Sequence, residues 1–512
     1  MRISLISPYP SLEAFGLRTI SACLKKAGHE VRLIFLPQEF DRPYEPAVLE
    51  ELVQVCRDSD LVGLSVMSNF RDNARQLTRA LRCVLGTTVV WGGIHPTVLP
   101  RECLAEADLV CLGEAEETMV ELAARMAAGQ DFHRLPGLWA REGERIIENP
   151  LRPLIQDLSS LPWPDYDLED HLLLFQGRIR AMDQDLLRQE MGTAYVTMPS
   201  RGCPFGCAYC VNSTLKKLYP DQKMVRSRDL EGVVEELKQA KAGLPFIDRI
   251  KFDDDAFFLA YGREEMARFC RRYKDEVGLP LAVTGVTPAT MDEAKLADLV
   301  EAGLDFVRVG IQSGAERTRK LYRRGHTDEQ IRSAASSAHL LSAAGRPPQY
   351  DIILDNPWER EGDLVETLLL LSRLPTPFQL CLFSLNLYPG TELHLKAREE
   401  GLIKDEEAEI FRKHYNRVSP TYLNRLFILL DQVAFRGGRI SPFRMRLLTD
   451  PRLRRVGLSR ILFYLVRFWE SPVPVRVRYL VRAGLRDLLR GDWRRMGGFL
   501  KRLVTGLRSG RA

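Results

Sequence analysis

Short apolar runs alternate with helix-length segments twice along this chain, and that alternation limits the available folds more than any other feature. In the first 150 residues the runs are Arg2–Ser7, Val31–Leu36, Leu61–Val66, Thr88–Trp91 and Asp108–Leu112. Helical patterns lie between them at Phe15–Gly28, which ends on a glycine suited to a helix C-terminus, at Ala74–Leu85 and from Ala115 onward. This order predicts a parallel, doubly wound (Rossmann-like) α/β sheet with its ligand loops beyond the carboxyl ends of the strands. The loops in question are Ser7–Gly16, Ser65–Asp72, Gly92–Pro100 and Gly113–Glu117. The alternation resumes with strands predicted at Tyr195–Met198, Arg249–Phe252, Leu281–Thr284, Phe306–Gln312, Tyr350–Leu354 and Gln379–Leu387. Six such units predict a partial (β/α)6, TIM-like barrel, with its chemistry at the C-terminal strand ends. Between the two, Leu161-Pro-Trp-Pro-Asp-Tyr is too rich in proline for regular structure. The expected division is a doubly wound domain over 1–150, a linker over 151–190, the barrel over 191–400 and a helical, basic region over 401–512.

Charge separates the last region from the rest. Residues 435–512 hold 20 Lys and Arg against 4 Asp and Glu, or +16 within an overall +5, so the first 434 residues are net negative at −11. In this tail Arg recurs at helical spacing among Leu, Val, Phe and Trp, and 480–503 reads as amphipathic helix with Trp493 and Phe499 on the apolar side. Such a face is a solvated cap on the fold or a contact with an anionic membrane surface. A nucleic-acid partner is not expected, because no RNA-binding module is recognisable. No apolar run reaches the roughly 18 residues of a membrane span; the best, Ile461–Trp469, is interrupted by Arg467. Met1–Pro10 reads as a strand and turn rather than a secretion signal. The expected location is the cytoplasm, with the tail at the inner face of the membrane.

Seven of the ten cysteines, Cys23, Cys56, Cys83, Cys103, Cys111, Cys270 and Cys381, are scattered and read as small buried side chains. The other three are clustered in Pro199-Ser-Arg-Gly-Cys203-Pro-Phe-Gly-Cys207-Ala-Tyr-Cys210, directly after a predicted strand. Such a loop wraps three thiolates around one centre. Structural zinc wants four protein ligands, usually two Cys pairs, and no second pair or nearby His exists here. An iron–sulfur cluster normally takes four cysteines, and three leave one iron open to a ligand.

The motif resembles that of the radical S-adenosylmethionine (SAM) superfamily. The resemblance implies a [4Fe–4S] cluster on Cys203, Cys207 and Cys210, with SAM chelating the open iron. It also implies a one-electron donor of flavodoxin or ferredoxin type and reductive cleavage of SAM to methionine and a 5′-deoxyadenosyl radical. Further segments match in order over about 195–400. Phe252-Asp-Asp-Asp-Ala-Phe257 is similar to the second-strand segment, and Asp254 or Asp255 would face the site. Gly310-Ile-Gln-Ser-Gly-Ala-Glu316 is similar to the fourth-strand segment, which implies SAM contacts from Gln312, Ser313 and Glu316. Tyr209 resembles the aromatic whose backbone approaches adenine. Arg323-Arg324 stands where the family often has Asn-Arg, Asp355-Asn-Pro357 where relatives often have a Gly-Pro turn, and Tyr388-Pro-Gly-Thr391 at the turn after the last strand.

The first domain resembles the cobalamin-binding domain that precedes many radical SAM domains. The match is Trp91-Gly-Gly-Ile-His95-Pro-Thr followed by Asp108-Leu-Val-Cys-Leu-Gly113-Glu114. Paired glycines after a strand let backbone approach a bulky, flat ligand. Ser65, Gly92, Gly93, His95, Gly113 and Glu114, with the Ser68–Phe70 loop, are therefore expected around cobalamin. The Asp-x-His-x-x-Gly motif that ligates cobalt through His is absent, so no His lower ligand is expected. The bland alternatives are a sheet that binds nothing and a His95 that only caps or packs. The resemblance implies a methyltransferase acting on an unactivated carbon of an unidentified small or lipid-like substrate. A ring-closing or rearranging enzyme with the same cofactors, and a sensor or scaffold that cleaves no SAM, remain open here.

Overall fold

The computed structural model describes residues 1–470 apart from Gly345. The basic segment 480–503, with Trp493 and Phe499, lies outside the described residues.

Nine strands form the first sheet: β1 Arg2–Ser7, β2 Glu30–Phe35, β3 Leu61–Ser65, β4 Thr88–Gly92, β5 Leu109–Cys111, β6 Leu138–Glu142, β7 Arg145–Glu148, β8 His171–Phe175 and β9 Arg178–Ala181. Their order is β7-β6-β5-β4-β3-β1-β2-β8-β9. The central strands β5 to β2 pair in parallel, in the flavodoxin-like doubly wound order whose crevice opens between β1 and β3. The central strands are largely buried because helices cover both faces.

Part of the stretch expected as a linker is built into this sheet. Residues 151–170 run irregularly apart from the turn Leu158–Ser160, but β8 joins β2 in parallel and β9 closes a hairpin onto it. The helix Gln184–Met191 then leads to the barrel. Asp165 anchors the irregular part. Its carboxylate accepts from Ser21 Oγ at 2.6 Å and pairs with Lys25, while its carbonyl accepts from the buried Arg18, which lies over the Phe35 and Tyr166 rings.

The second sheet is open, six-stranded and parallel: β10 Ala194–Thr197, β13 Arg249–Phe252, β14 Leu281–Val286, β15 Leu304–Gln312, β16 Gln349–Leu354 and β17 Gln379–Ser384, adjacent in that order. Between β10 and β13 a two-stranded ribbon, β11 Ser200–Arg201 with β12 Arg226–Ser227, brackets the cysteine loop. Helices follow the barrel, including Tyr422–Phe435 and Leu458–Glu470. Among the described residues no helix is long and apolar enough to cross a membrane. Of the scattered cysteines, Cys56, Cys103, Cys111 and Cys270 are buried and Cys23 and Cys381 half-buried, whereas Cys83 is exposed, against expectation.

Candidate cluster and cofactor site

The three clustered cysteines sit where β10 ends. The ribbon β11–β12 holds the start of their loop, and the helix Val211–Leu218 begins directly after Cys210, with the Asn212 backbone N–H on the Cys210 thiol and the Ser213 N–H on its carbonyl at 3.1 Å. Ala208 is pinned on both sides: its N–H donates to the Tyr322 carbonyl at 3.1 Å and its carbonyl accepts from Leu393 N–H at 3.0 Å. Gly202 enters the loop at φ +86°, where a Cβ would lie 2.1 Å from the Met224 carbonyl oxygen. Only glycine lets the ribbon close there.

Burial pushes the Cys203 thiol up to about 11 and the Cys210 thiol up to about 12, and the three thiols act on one another electrostatically. Arg324 opposes that cost. Its Nη1 donates to Cys207 Sγ at 3.6 Å, its Nη2 donates to the Gly310 carbonyl, and its buried Nε has no partner among the described residues. Three thiols from one loop beside an unneutralised guanidinium fit an anionic thiolate-ligated cluster with one open metal position. Among the described residues no three His, Cys, Asp or Glu side chains converge on a single metal ion.

The acidic and polar residues expected around SAM divide into two groups. Asp255 is exposed to an internal cavity; burial raises its carboxyl, against hydrogen bonds from Asn212 and the Gly202 backbone. Gln312 ends β15 in the left-handed region at φ 69°, and its Nε2 folds back over Gly310. Such strain in a non-glycine residue is concentrated at functional sites. Tyr209 packs edge-on against Tyr322 at 5.0 Å, beside the cluster thiols. The others face elsewhere. Asp254 is buried behind the loop, where Oδ1 accepts from Ser200 N–H at 2.8 Å, so it props the cysteine loop from outside. Ser313 is buried in a network with Thr367 at 3.2 Å and Glu359 at 3.5 Å. Glu316 is turned to solvent, 71% exposed, and pairs with Lys320 one helical turn on. Placement on a helix start with a cation at i+4 decides its direction. Asp355 accepts from Ser419 N–H and Asn424 Nδ2, tying the barrel to the C-terminal helices.

A cavity of about 380 Å³ opens between the two sheets. Its wall from the first domain includes Gly63, Ser65, Gly92, Gly93, Gly113 and Glu114. Its wall from the barrel includes Thr197, Arg201, Gly202, Asn212 and Asp255. Leu161, Pro162 and Pro164 of the irregular stretch close part of it, a role the sequence did not disclose. Gly113 (φ +69°) touches Tyr219 so closely that a Cβ would lie 1.9 Å from the phenol oxygen. This glycine-rich, largely apolar wall at the β1/β3 crevice is suited to a bulky planar ligand such as a corrin.

Two expectations for that wall are corrected. His95 does not line the cavity: the turn after Gly93 sends it to the opposite side, where Nδ1 meets Ser68 Oγ at 3.2 Å and the ring meets Phe411 edge-on. The Ser68–Phe70 turn is buried there as well, with Asn69 Nδ2 donating to the Phe411 carbonyl at 3.0 Å. Glu114 lines the cavity but is already paired. Both its oxygens accept from Arg226 Nη1 at 2.8 Å, one accepts from Arg201 at 3.3 Å, and Arg201 also pairs with Glu116 at 2.7 Å. These arginines flank the cysteine loop, so the network joins cluster loop to first domain. Sequence reasoning missed Arg201 and Arg226, although Arg201 stands inside the quoted motif.

His95 also makes the fold sensitive to acid. Burial lowers its imidazole to about 4, so between 6.5 and about 4 the unfolded chain binds a proton that the folded chain does not. Stability is therefore expected to fall as pH drops through that window, by up to about 3 kcal/mol. Denaturant melts at both ends of the window should show a shallower fall in His95→Gln.

Comparison with known proteins bears on both walls. The B12 binding domain model matches residues 1–123, and the Radical SAM superfamily model matches residues 197–367. An uncharacterized methyltransferase of Pyrococcus horikoshii is 26% identical over 387 residues, covering 74% of this chain and 77% of that protein. An anaerobic magnesium-protoporphyrin IX monomethyl ester cyclase of Synechocystis is 30% identical over 209 residues, 40% of this chain and 38% of that one. The radical SAM methyltransferase TsrM from Kitasatospora setae, solved with cobalamin and a [4Fe–4S] cluster, superposes with a TM-score of 0.61. That likeness has 19% identity and covers 78% of each chain, and it shows a shared fold.

Proposed function

Because the chain belongs to the radical SAM enzymes that carry a B12 binding domain, we propose that it methylates an unactivated carbon of a small-molecule substrate. The observation that carries this reading is the single cavity walled by the glycines of the first domain and by the root of the cysteine loop. When bound, the [4Fe–4S] cluster and SAM supply the 5′-deoxyadenosyl radical and cobalamin supplies the methyl group, with SAM also the methyl source.

The chain's own residues bind, orient and seal. Cys203, Cys207 and Cys210 are the thiolate ligands, and Arg324 faces Cys207 with positive charge. Asp254 holds the Ser200 amide and fixes where the loop begins. Gly92, Gly93 and Gly113 line the cavity, and the absence of side chains at Gly93 and Gly113 lets Val66 and Tyr219 pack close behind this wall. Leu161, Pro162 and Pro164 shield the same space from water, which protects a radical from quenching.

The test is anaerobic reconstitution with iron, sulfide and cobalamin. About one cobalamin per chain, deoxyadenosine on reduction with SAM, and a product heavier by one CH2 unit are the expected results. Deoxyadenosine without bound cobalamin would keep the radical enzyme and reject methyl transfer. The local similarity to the cyclase favours ring closure as the second reading, and a product without the added CH2 would select it.

A one-electron donor of flavodoxin or ferredoxin type completes the scheme. For the basic C-terminal region the reading is contact with an anionic membrane surface. Its support is the exposed Val456, Ile461 and Tyr464 beside Arg452 and Arg455.

A further inference from the structure

Barrel strands press one face against the outer helices and turn the other to the lumen. On β15, Val307, Val309 and Ile311 belong to the helix-packed core, so Arg308 faces inward. On β16, Tyr350 and Ile352 are core, with Tyr350 OH donating to Ala335 on an outer helix, so Asp351 faces inward. By the same alternation Lys251 of β13 stands between the core residues Ile250 and Phe252 and faces inward. In a closed barrel such inward positions are filled by branched apolar side chains. Here they are charged.

Arg308 is only partly engaged. Its Nε donates to Asp351 Oδ1 at 2.7 Å, while its two terminal nitrogens have no hydrogen bond among the described residues. Its side chain is 33% exposed, and its guanidinium carbon lies 5.3 Å from the centre of the Phe383 ring. Phe383 in turn stacks with Tyr415 at 6.1 Å and 29°. Lys251 Nζ approaches Asp253 at 3.3 Å, and the Asp253 charge reaches Arg308. Two residues along β15 from Arg308, roughly 7 Å at strand spacing, the Gly310 carbonyl accepts from Arg324, the residue that touches Cys207.

We propose that Arg308, with Lys251, binds an oxyanion of the substrate, a carboxylate or a phosphate, while the Phe383–Tyr415 pair receives a planar part. The substrate is then a charged, ring-bearing small molecule rather than a hydrocarbon lipid. A guanidinium that offers a free terminal pair beside an aromatic face matches that chemistry, because arginine binds such groups through paired, charge-assisted hydrogen bonds. This inference rests on the proposed function and narrows its substrate class.

The experiment uses the reconstituted holoenzyme and three probes followed by fluorine NMR: 4-fluorophenylacetate, 4-fluorophenyl phosphate and the neutral 4-fluorophenylacetamide. At least one anion should bind about tenfold more tightly than the amide. A carboxylate preference and a phosphate preference both support the site and identify the group. Arg308→Gln should abolish the preference, while Asp351→Asn, which removes a competing anion, should strengthen it. A salt bridge with only a structural role would make the two variants act alike. The proposal is overturned if the wild type does not prefer either anion, or if Asp351→Asn weakens the preference together with Arg308→Gln. Deoxyadenosine formation is measured on the same wild-type preparation without probe. Its absence would count against the radical reading, whereas a lost anion preference counts against the lumen site alone.

Discussion

Cys207→Ala should give a folded chain that assembles no [4Fe–4S] cluster and forms no 5′-deoxyadenosine when reduced with SAM. The loop does not depend on this thiol for its course, because Ala208 is held by backbone hydrogen bonds to Tyr322 and Leu393 on either side. The thermal melt should therefore stay close to that of the wild type. What disappears is the thiolate facing Arg324, and with it one of three ligands. Groups that merely support a metal ligand are worth about 10–100-fold, so loss of a ligand should lower deoxyadenosine by at least about a hundredfold. Iron and sulfide content, the spin-resonance signal of the reduced protein and chromatography of the products measure this. Undiminished deoxyadenosine in Cys207→Ala would remove the cysteine triad from the chemistry.

A second large effect is expected at the junction of the domains. Arg226 is 4% exposed and grips both oxygens of Glu114 and the Ile155 carbonyl, each at 2.8 Å. In Arg226→Met the Glu114 carboxylate loses its main partner and keeps Arg201 and the Ile155 amide. Breaking a buried pair from one side costs about 3–5 kcal/mol, and the remaining partners place this case near about 3 kcal/mol. Cobalamin retention should fall as well, because Glu114 and Arg226 both line the cavity. The double variant Glu114→Gln, Arg226→Met leaves no uncompensated charge and should recover most of the stability. Equal losses in the single and double variants would mean that packing of the arginine stem, not its charge, is what matters there. Urea melts of the cofactor-free and cobalamin-bound chains provide the comparison.

The elements that were legible in the sequence are those set by local periodicity. β1 to β5 and the six barrel strands lie within a few residues of their apolar runs, because each buries at least one apolar face against helices. Strands at the sheet margin obey no such rule. Arg145–Glu148 and Arg178–Ala181 are four-residue edge strands, half of whose residues are charged, and His171–Phe175 was hidden by the prolines before it. Site residues divide in the same way. Asp255 follows from its position just past a strand end, while the directions of His95 and Glu316 are set by a single turn and a single helix start. The Arg201–Glu116 pair joins residues far apart in the chain, and no local pattern could announce it.

The stretch Glu407–Tyr415 lies across the β3 end of the first sheet, held by Asn69, by Arg71 to Glu407, by Asp72 to Arg412 and by Asp41 to His414. Its contacts with Asn69 and Asp72 reach back some 340 residues. During synthesis the first domain is thus complete long before this cover exists. The cover ends at Tyr415, 234 residues after Ala181 closes the first sheet, and at about 5–20 residues per second the ribosome needs roughly 10 to 50 s to supply it. Throughout that interval Phe40 and His95, which meet His414 and Phe411 of the cover in the finished protein, stand open to water and to chaperones. Expression yield should therefore depend on how quickly translation passes through the barrel.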